Sequence, residues 1–565
     1  MRQGNCTQLT KNAYMKKITL LLGLLALGFT SQAQVTNEGE PRSWTMSARS
    51  AVSPVEMEAI DFETVYAEDA AYRKGDGPYR FGIELDVDLG LENAGVWDEL
   101  PNGDGVWRIN IVSEGAKTMN FIFDKYDLPA GAKVYLYNDD RTALLGAYTD
   151  NLNNEEKMLG TWMVDGDNIW IEYFEPKAVR GHGSLNISKV VHGYRSVQQF
   201  TDEVVTAKGL NDSGSCNHDV DCTVGADWDP LKEDLKRSVA LFIIGGGVCS
   251  GALINNTAND REPYFLTANH CNGGTPATWS FRFNWRSPSP SCGTTTPSTS
   301  GSFNTTSGAE RLAINSESDV MLVRLLGTLP DSWNLVWAGW NRSATAVPNY
   351  TVGIHHPSGD IMKVCRDDEA PFKSAISFNG NPSTEMWVIS GSGFGGGDGW
   401  DIGVTEGGSS GSPLFDQNGL IVGQLAGGSA ACAGTNDNGG FDVYGRFDKS
   451  WDFGSSPTNS LKPWLDPDGD AGDTLETLST NDFQFETNLS IFPNPANSLL
   501  NVVHFGSSSL DYELYTILGQ VVKRGSFSAV NNELNVSDLQ NGVYFLKIVD
   551  DENAASLTKK IIVRH

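Results

Sequence analysis

Short apolar runs with two-residue alternation recur along this chain, and no segment of helical period interrupts them. They include VWRINIV from Val106, MNFIFD from Met119, AKVYLYN from Ala132 and NIWIEYF from Asn168. Further along come SVALFII from Ser238, YFLTA from Tyr264, WSFRFNW from Trp279, DVMLVRLL from Asp319 and LIVGQLAGG from Leu420. Turn signals such as Pro129-Ala130-Gly131 and Asp165-Gly166-Asp167 punctuate the early runs. A strand of this kind hides its apolar face only by stacking on a second sheet or closing into a barrel, so an all-β chain is predicted. For the middle of the chain the expectation is two packed antiparallel β-barrels or a sandwich.

At 565 residues the chain exceeds one core, and roughly three or four domains are expected. The formal charge of −29 speaks against nucleic acid as a partner, because phosphate binding needs clustered cations. Lys16 and Lys17, the apolar run Ile18 to Phe29 and Ser31-Gln32-Ala33 read as a secretory signal, residues 1–33, with Met15 the better start. Seven of the eight cysteines then remain, all between Cys216 and Cys432. In an oxidising compartment they are expected to pair, with one left over. Their spacings fit no zinc pattern, so no metal and no cofactor are predicted.

Three residues carry chemistry. Ser410 sits in GGSSGSP (407–413), His270 in TANHC (267–271), and Asp319 between them in SESDVMLVRL. A serine hydroxyl is a weak nucleophile at neutral pH and needs a base at hydrogen-bond distance. His270 is the candidate base, and Asp319 the group that orients and stabilises its imidazolium. The glycines at 408 and 411 allow a sharp turn that aims the Gly408 and Ser410 N–H groups at a developing oxyanion. Chain order His, Asp, Ser is that of chymotrypsin rather than of subtilisin or the α/β-hydrolases.

The block from Cys216 to about Asp466 resembles the bacterial lysyl endopeptidases of the chymotrypsin-like superfamily. The phrases that carry the resemblance are GSCNHDVDC, NNTANDREPYFLTANHC, LVWAGWNR, IHHPSGD, GVTEGGSSGSP, VGQLAGG, DVYGRF and PWLDP. It implies a double antiparallel β-barrel with the triad between the barrels, and disulfides Cys216–Cys432, Cys222–Cys292 and Cys249–Cys271, leaving Cys365 free. It also implies cleavage of peptide bonds after lysine. Trypsin's basic-selective aspartate lies six residues before its nucleophile, where Val404 stands here. The resemblance instead places the acid of the primary pocket at Asp442, in Asp442-Val443-Tyr444-Gly445-Arg446. In two places the chain departs from the pattern. Ala426 replaces the histidine of the family's GQLHGG phrase, and the aromatic flanking the cleft is left between Trp387 and Phe378. Ser409 stands where trypsin has an aspartate, so activation by a salt bridge to a new N-terminus is not open to this chain.

The tail reads LSIFPNPANSLLNV, YELYTILGQVV, LNVSDLQNGVYFLKIV and KKIIVRH, and resembles the C-terminal sorting domain of the type IX secretion system. That resemblance implies an Ig-like β-sandwich that hands the protein to outer-membrane secretion machinery, placing it outside the cell or on its surface. The predicted organisation is signal 1–33, β-rich propeptide 34–208, protease 209–465, acidic linker 466–487 and sorting sandwich 488–565. Lys208-Gly209 is the expected processing site. The functional expectation is a secreted serine endopeptidase acting after lysine on protein or peptide substrates. Two alternatives stand beside it: a protease accepting arginine equally, and a protease-like surface binding protein with weak turnover.

Overall fold

A computed structural model of the chain describes residues 39–195, 213–454, 456–480, 485, 488–504, 509–528, 532–550 and 555–565. The expected signal and the Lys208-Gly209 site lie outside the described residues.

Alternation in the N-terminal region produces two stacked sheets. One orders Val55–Glu56, Gly105–Val112, Asn168–Glu175, Lys133–Asn138 and Leu144–Tyr148. The other orders Val164–Asp165, Thr118–Asp127, Ser184–Gly193 and Gly82–Gly90. Their inner faces meet through Ile109 and Ile171 from one sheet and Phe121 and Val190 from the other. A helix, Phe62–Ala71, follows the strand Val55–Glu56, its first turn capped by the Asp61 carboxylate.

The middle of the chain is mostly β, built on two largely antiparallel sheets. The first runs Asn304–Ser307, Ser280–Phe283, Val239–Ile244, Gly247–Leu253, Tyr264–Ala268, Val320–Leu325, Ala309–Asn315. The second runs His218–Asp219, Lys363–Asp367, Thr351–His355, Pro413–Phe415, Ile421–Gly428, Asp442–Arg446, Thr384–Ile389, Phe372–Ile376. Tyr79–Arg80 of the N-terminal region adds a further strand to the first sheet, with Arg80 opposite Gly247 and Tyr79 opposite Val248. The two regions also share one apolar core, since Leu241, Ile243, Val248, Trp285 and Ile361 pack into the N-terminal cluster.

Disulfides Cys216–Cys432, Cys222–Cys292 and Cys249–Cys271 are formed, and among the described residues Cys365 is the free cysteine, buried. The acidic stretch after Asp466 is fastened rather than loose. Asp466 Oδ1 caps the N–H groups of Asp470 and Ala471, Arg342 grips the carbonyls of Ala471 and Gly472, and Thr474–Leu475 pairs with Trp340–Asn341. The acidic side chains at 468, 470 and 473 still face solvent. The tail forms a separate sandwich of a three- and a four-stranded sheet around Leu500, Val502, Leu514, Leu546 and Ile561.

Candidate active site

Antiparallel pairing of Ala268 with Val320 places the residues just beyond these strand ends side by side. His270 lies in the single turn Asn269–Cys271 that follows one strand, and Asp319 precedes the other. The Asp319 carboxylate accepts the His270 backbone N–H at 2.9 Å on Oδ1 and lies 2.7 Å from its ring Nδ1 through Oδ2. Asn269 N–H closes the corner on the Asp319 carbonyl, and Gln424 Nε2 donates to the carbonyls of Ser318 and Asp319. Asp319 itself sits at φ 53°, a left-handed conformation that costs an L-residue free energy and is held here by these bonds. Burial pushes its carboxyl up, and the charge and hydrogen bonds of His270 pull it back. The Cys249–Cys271 bridge fastens the histidine turn to the strand Gly247–Leu253.

The serine turn packs directly against this hairpin. The Ser410 carbonyl accepts the Ser250 N–H at 2.9 Å, and Cys271 Sγ lies 3.8 Å from the same oxygen. Gly411, at φ 82°, has no room for a Cβ, which would stand 2.1 Å from Thr267 Oγ1. Two peptide planes fix the donors around Ser410. The Gly407 carbonyl accepts from Ser358 N–H and the Ser409 carbonyl from Ser412 N–H. Because a trans peptide points its N–H opposite to its C=O, the Gly408 and Ser410 N–H groups are turned the other way. Among the described residues neither N–H meets a hydrogen-bond acceptor. His270 Nε2 and Ser410 Oγ are both buried without a hydrogen bond of normal geometry. Apo catalytic contacts are often this loose and tighten when substrate arrives.

Ser409, beside the nucleophile candidate, is locked from two sides: its Oγ lies 2.8 Å from His355 Nδ1 and accepts the Glu406 N–H at 3.1 Å. Burial holds His355 well below the usual imidazole range, so the ring is neutral. His355 was visible in the sequence only as part of IHHPSGD; a histidine next to a histidine in an apolar run was the signal for such a buried support.

Asp442 opens the strand Asp442–Arg446 opposite Gly428 and is wholly buried. Its Oδ2 accepts Trp400 Nε1 at 2.8 Å and Thr405 Oγ1 at 2.6 Å. Its Oδ1 lies 2.5 Å from the ammonium of Lys74, which comes from the N-terminal region. Lys74 Nζ also reaches Thr405 Oγ1 at 2.6 Å, Ala430 O at 3.0 Å and Thr405 O at 3.1 Å. Burial pushes the Asp442 carboxyl up; Lys74, Thr405 and Trp400 pull it back. The Cys216–Cys432 bridge ties down the segment that carries Ala430. Val404 lies in the apolar cluster that also holds Trp400 and Tyr444. Neither Trp400, Thr405 nor Ala430 was singled out from the sequence, because a tryptophan, a threonine and a main-chain oxygen carry no motif of their own. Of the two aromatics left open, Phe378 stands against His270, ring centroids 5.9 Å apart, while Trp387 is buried with its indole N–H on the Val422 carbonyl.

Residues 210–445 match the family model described as Lysyl endopeptidase, C-terminal domain, and residues 490–564 match Secretion system C-terminal sorting domain. The chain is 26% identical over 380 residues to a lysyl endopeptidase of Pseudomonas aeruginosa, a match covering 62% of this chain and 76% of the relative. Among solved structures, a serine endoprotease from Yersinia pestis aligns at 10% identity over 60% of this chain and 98% of its own, TM-score 0.23. A kallikrein-related peptidase 10 aligns at 14% identity over 37% of this chain and 89% of its own, TM-score 0.24.

Proposed function

We propose that this chain, whose residues 210–445 and 490–564 match a lysyl endopeptidase domain and a secretion-system sorting domain, is a secreted serine peptidase that cleaves peptide bonds after lysine through Ser410, His270 and Asp319. Ser410 Oγ attacks the scissile carbonyl while His270 Nε2 takes its proton. The carbonyl oxygen, now an anion, is received by the Gly408 and Ser410 N–H groups. Collapse breaks the C–N bond, and the imidazolium returns its proton to the leaving amine. Water, deprotonated by the same nitrogen, then attacks the acyl ester and releases the new carboxylate and Ser410. Asp319 stays ionised, fixes the ring tautomer and stabilises the imidazolium.

The observation that carries lysine specificity is the pocket of Asp442, whose carboxylate and three neighbouring oxygens hold an ammonium within 3.1 Å. A compact ammonium suits acceptors converging on one nitrogen, whereas a planar guanidinium needs its donors spread over a fork. A neutral side chain would leave a buried carboxylate unpaired, which is strongly unfavourable. The same residues, separated in the chain, also account for Val404 replacing trypsin's acid without loss of basic selection.

The test is cleavage of matched peptides with Lys, Arg or Leu before the scissile bond by the processed protein, cut at Lys208-Gly209 by an added protease and separated from its N-terminal region, and by its Ser410→Ala and Asp442→Asn variants prepared in the same way. Lysine cleavage abolished by the first variant and basic preference lost in the second is the expected pattern. Absence of turnover in correctly processed protein would overturn the proposal.

A further inference from the structure

The group that fills the lysine pocket belongs to the chain itself, and its setting is that of a plug. Lys74 lies 368 residues before Asp442 and its side chain is only 6% exposed. Every polar contact of its ammonium is to the pocket: Asp442, Thr405 and Ala430. Burying a lysine among such acceptors is costly unless the fit is close, so its presence there is a specific docking.

The backbone around Lys74 differs from that of a cleavable substrate. Asp76 N–H donates to the Arg73 carbonyl at 3.0 Å, the Asp76 carboxylate accepts Arg73 N–H at 2.8 Å, and Gly75 adopts φ 101°. These bonds make a tight turn of the segment where an extended strand would present its peptide bond. The Lys74 carbonyl faces Gly427, since a Cβ on Gly427 would stand 2.7 Å from that oxygen. It is bonded to neither the Gly408 nor the Ser410 N–H. The side chain is thus in the primary pocket while its peptide bond is aimed elsewhere.

The turn is anchored at both ends. Gly75 O accepts Asn379 Nδ2 at 2.9 Å, and a Cβ at Gly75 would stand 2.5 Å from the Ala426 carbonyl. Tyr72 and Tyr79, ring centroids 5.8 Å apart, cover Gly407 beside the serine turn. At the base, Arg80 pairs with Asp69 and Glu68 of the preceding helix, and Tyr79–Arg80 is a strand of the protease sheet.

We propose that residues 72–79 form an internal inhibitor: Lys74 occupies the primary pocket as a lysine that cannot be cleaved, and the protease is latent until this loop withdraws. The inference rests on the reading of Asp442 as a lysine pocket. It adds that cutting the chain at Lys208-Gly209 does not by itself release activity, because the loop and the shared core hold the N-terminal region in place without a covalent link.

The full chain carrying Ser410→Ala, which cannot process itself, tests this by its affinity for a fluorescent peptide ending in lysine. If the loop is withdrawn in about 1% of molecules, apparent affinity is lowered about a hundredfold. Adding Lys74→Ala, or Gly75→Ala, which keeps the lysine but leaves no room for the turn, is expected to restore most of that factor. Adding Arg73→Ala, an exposed neighbour, is expected to change nothing. Equal affinity in all four proteins overturns the proposal. An arm on the Ser410→Ala chain alone guards against misfolded variants: amine acetylation read by mass spectrometry should spare Lys74 and modify exposed Lys157. Equal modification of the two overturns the proposal as well. The processed enzyme run in parallel separates the two readings. If it shows no preference for lysine over leucine, the pocket assignment has failed; if it shows one while the intact chain binds lysyl peptide freely, only the plug has failed.

Discussion

Asp319 and Asp442 are both wholly buried carboxylates in one protease domain, yet they are satisfied in opposite ways. Asp319 is met by its own hairpin: the donors on its carboxylate are the backbone and ring of His270, forty-nine positions away in chain but across one strand pair. Asp442 has two fixed donors, Trp400 and Thr405, and a third position filled by Lys74 from outside the domain. The first arrangement is complete and permanent, as the proposed role of orienting a base in every turnover requires. The second has one position taken by a cation from elsewhere in the chain, as the proposed exchange of Lys74 for a substrate lysine requires. Burial raises the cost of ionisation at both sites, so the difference lies in whether the compensating charge is built in or borrowed.

The largest effect should come from breaking the built-in pair. Asp319→Asn keeps the volume but reverses the hydrogen-bond sense at His270 Nδ1, and kcat for lysyl peptides is expected to fall about 10⁴-fold with KM little changed. A matching rise in KM would mean that the residue shapes the cleft rather than the base.

Asp442→Asn should instead slow one substrate class. Removing one partner of a buried charge pair costs about 2–5 kcal/mol, or roughly 30- to 5,000-fold in kcat/KM for lysyl peptides. Leucyl peptides, which no longer leave a buried carboxylate unpaired, should be cleaved no worse than before and better in proportion to that relief. Equal loss for both classes would show that Asp442 supports the pocket wall and does not select.

How much of this was legible beforehand follows the same division. The histidine, aspartate and serine each lie in a local phrase at a strand end, so pattern and chain order were enough to single them out. The strand runs likewise show up by alternation alone, whereas the helix Phe62–Ala71 has one buried residue, Val65, and no apolar stripe to announce it. The partners of Asp442 were out of reach. Trp400, Thr405 and Lys74 come from distant segments with no shared motif, and only folding brings them to one carboxylate. The acidic stretch after Asp466 reads as solvated from its side chains, and they are; its anchoring is through main-chain atoms, on which composition is silent.

A pH series sharpens the contrast further. A carboxyl raised by burial is protonated at higher pH than an exposed one, and loss of its charge removes the attraction for a lysine. The ratio of lysyl to leucyl kcat/KM should therefore be highest at alkaline pH and fall on acidification, starting above the ordinary Asp range near 3.8. Departure of Lys74, the largest group pulling Asp442 down, moves that fall to still higher pH in the processed enzyme. The limiting slope is about tenfold per pH unit, and the ratio should be flat in Asp442→Asn. A sloping ratio in that variant would assign the titration to another group.

The smallest effect concerns Ser409, the neighbour of the proposed nucleophile. In trypsin the equivalent aspartate needs a cationic partner; here a neutral hydroxyl is already satisfied by neutral His355 and by the Glu406 N–H. No charge has to arrive for the serine turn to take its shape. Ser409→Ala leaves two buried polar groups unpaired and should cost about 1–3 kcal/mol of stability, read as a lower urea midpoint of the Ser410→Ala full chain. In otherwise unaltered processed enzyme, the rate of labelling of Ser410 by an organophosphonate should stay within severalfold of normal, since the two peptide planes that aim the Gly408 and Ser410 N–H groups are held by Ser358 and Ser412. A loss of labelling as large as that of Asp319→Asn would mean that the turn depends on Ser409 after all, and that latency is set within the serine turn as well as in the lysine pocket.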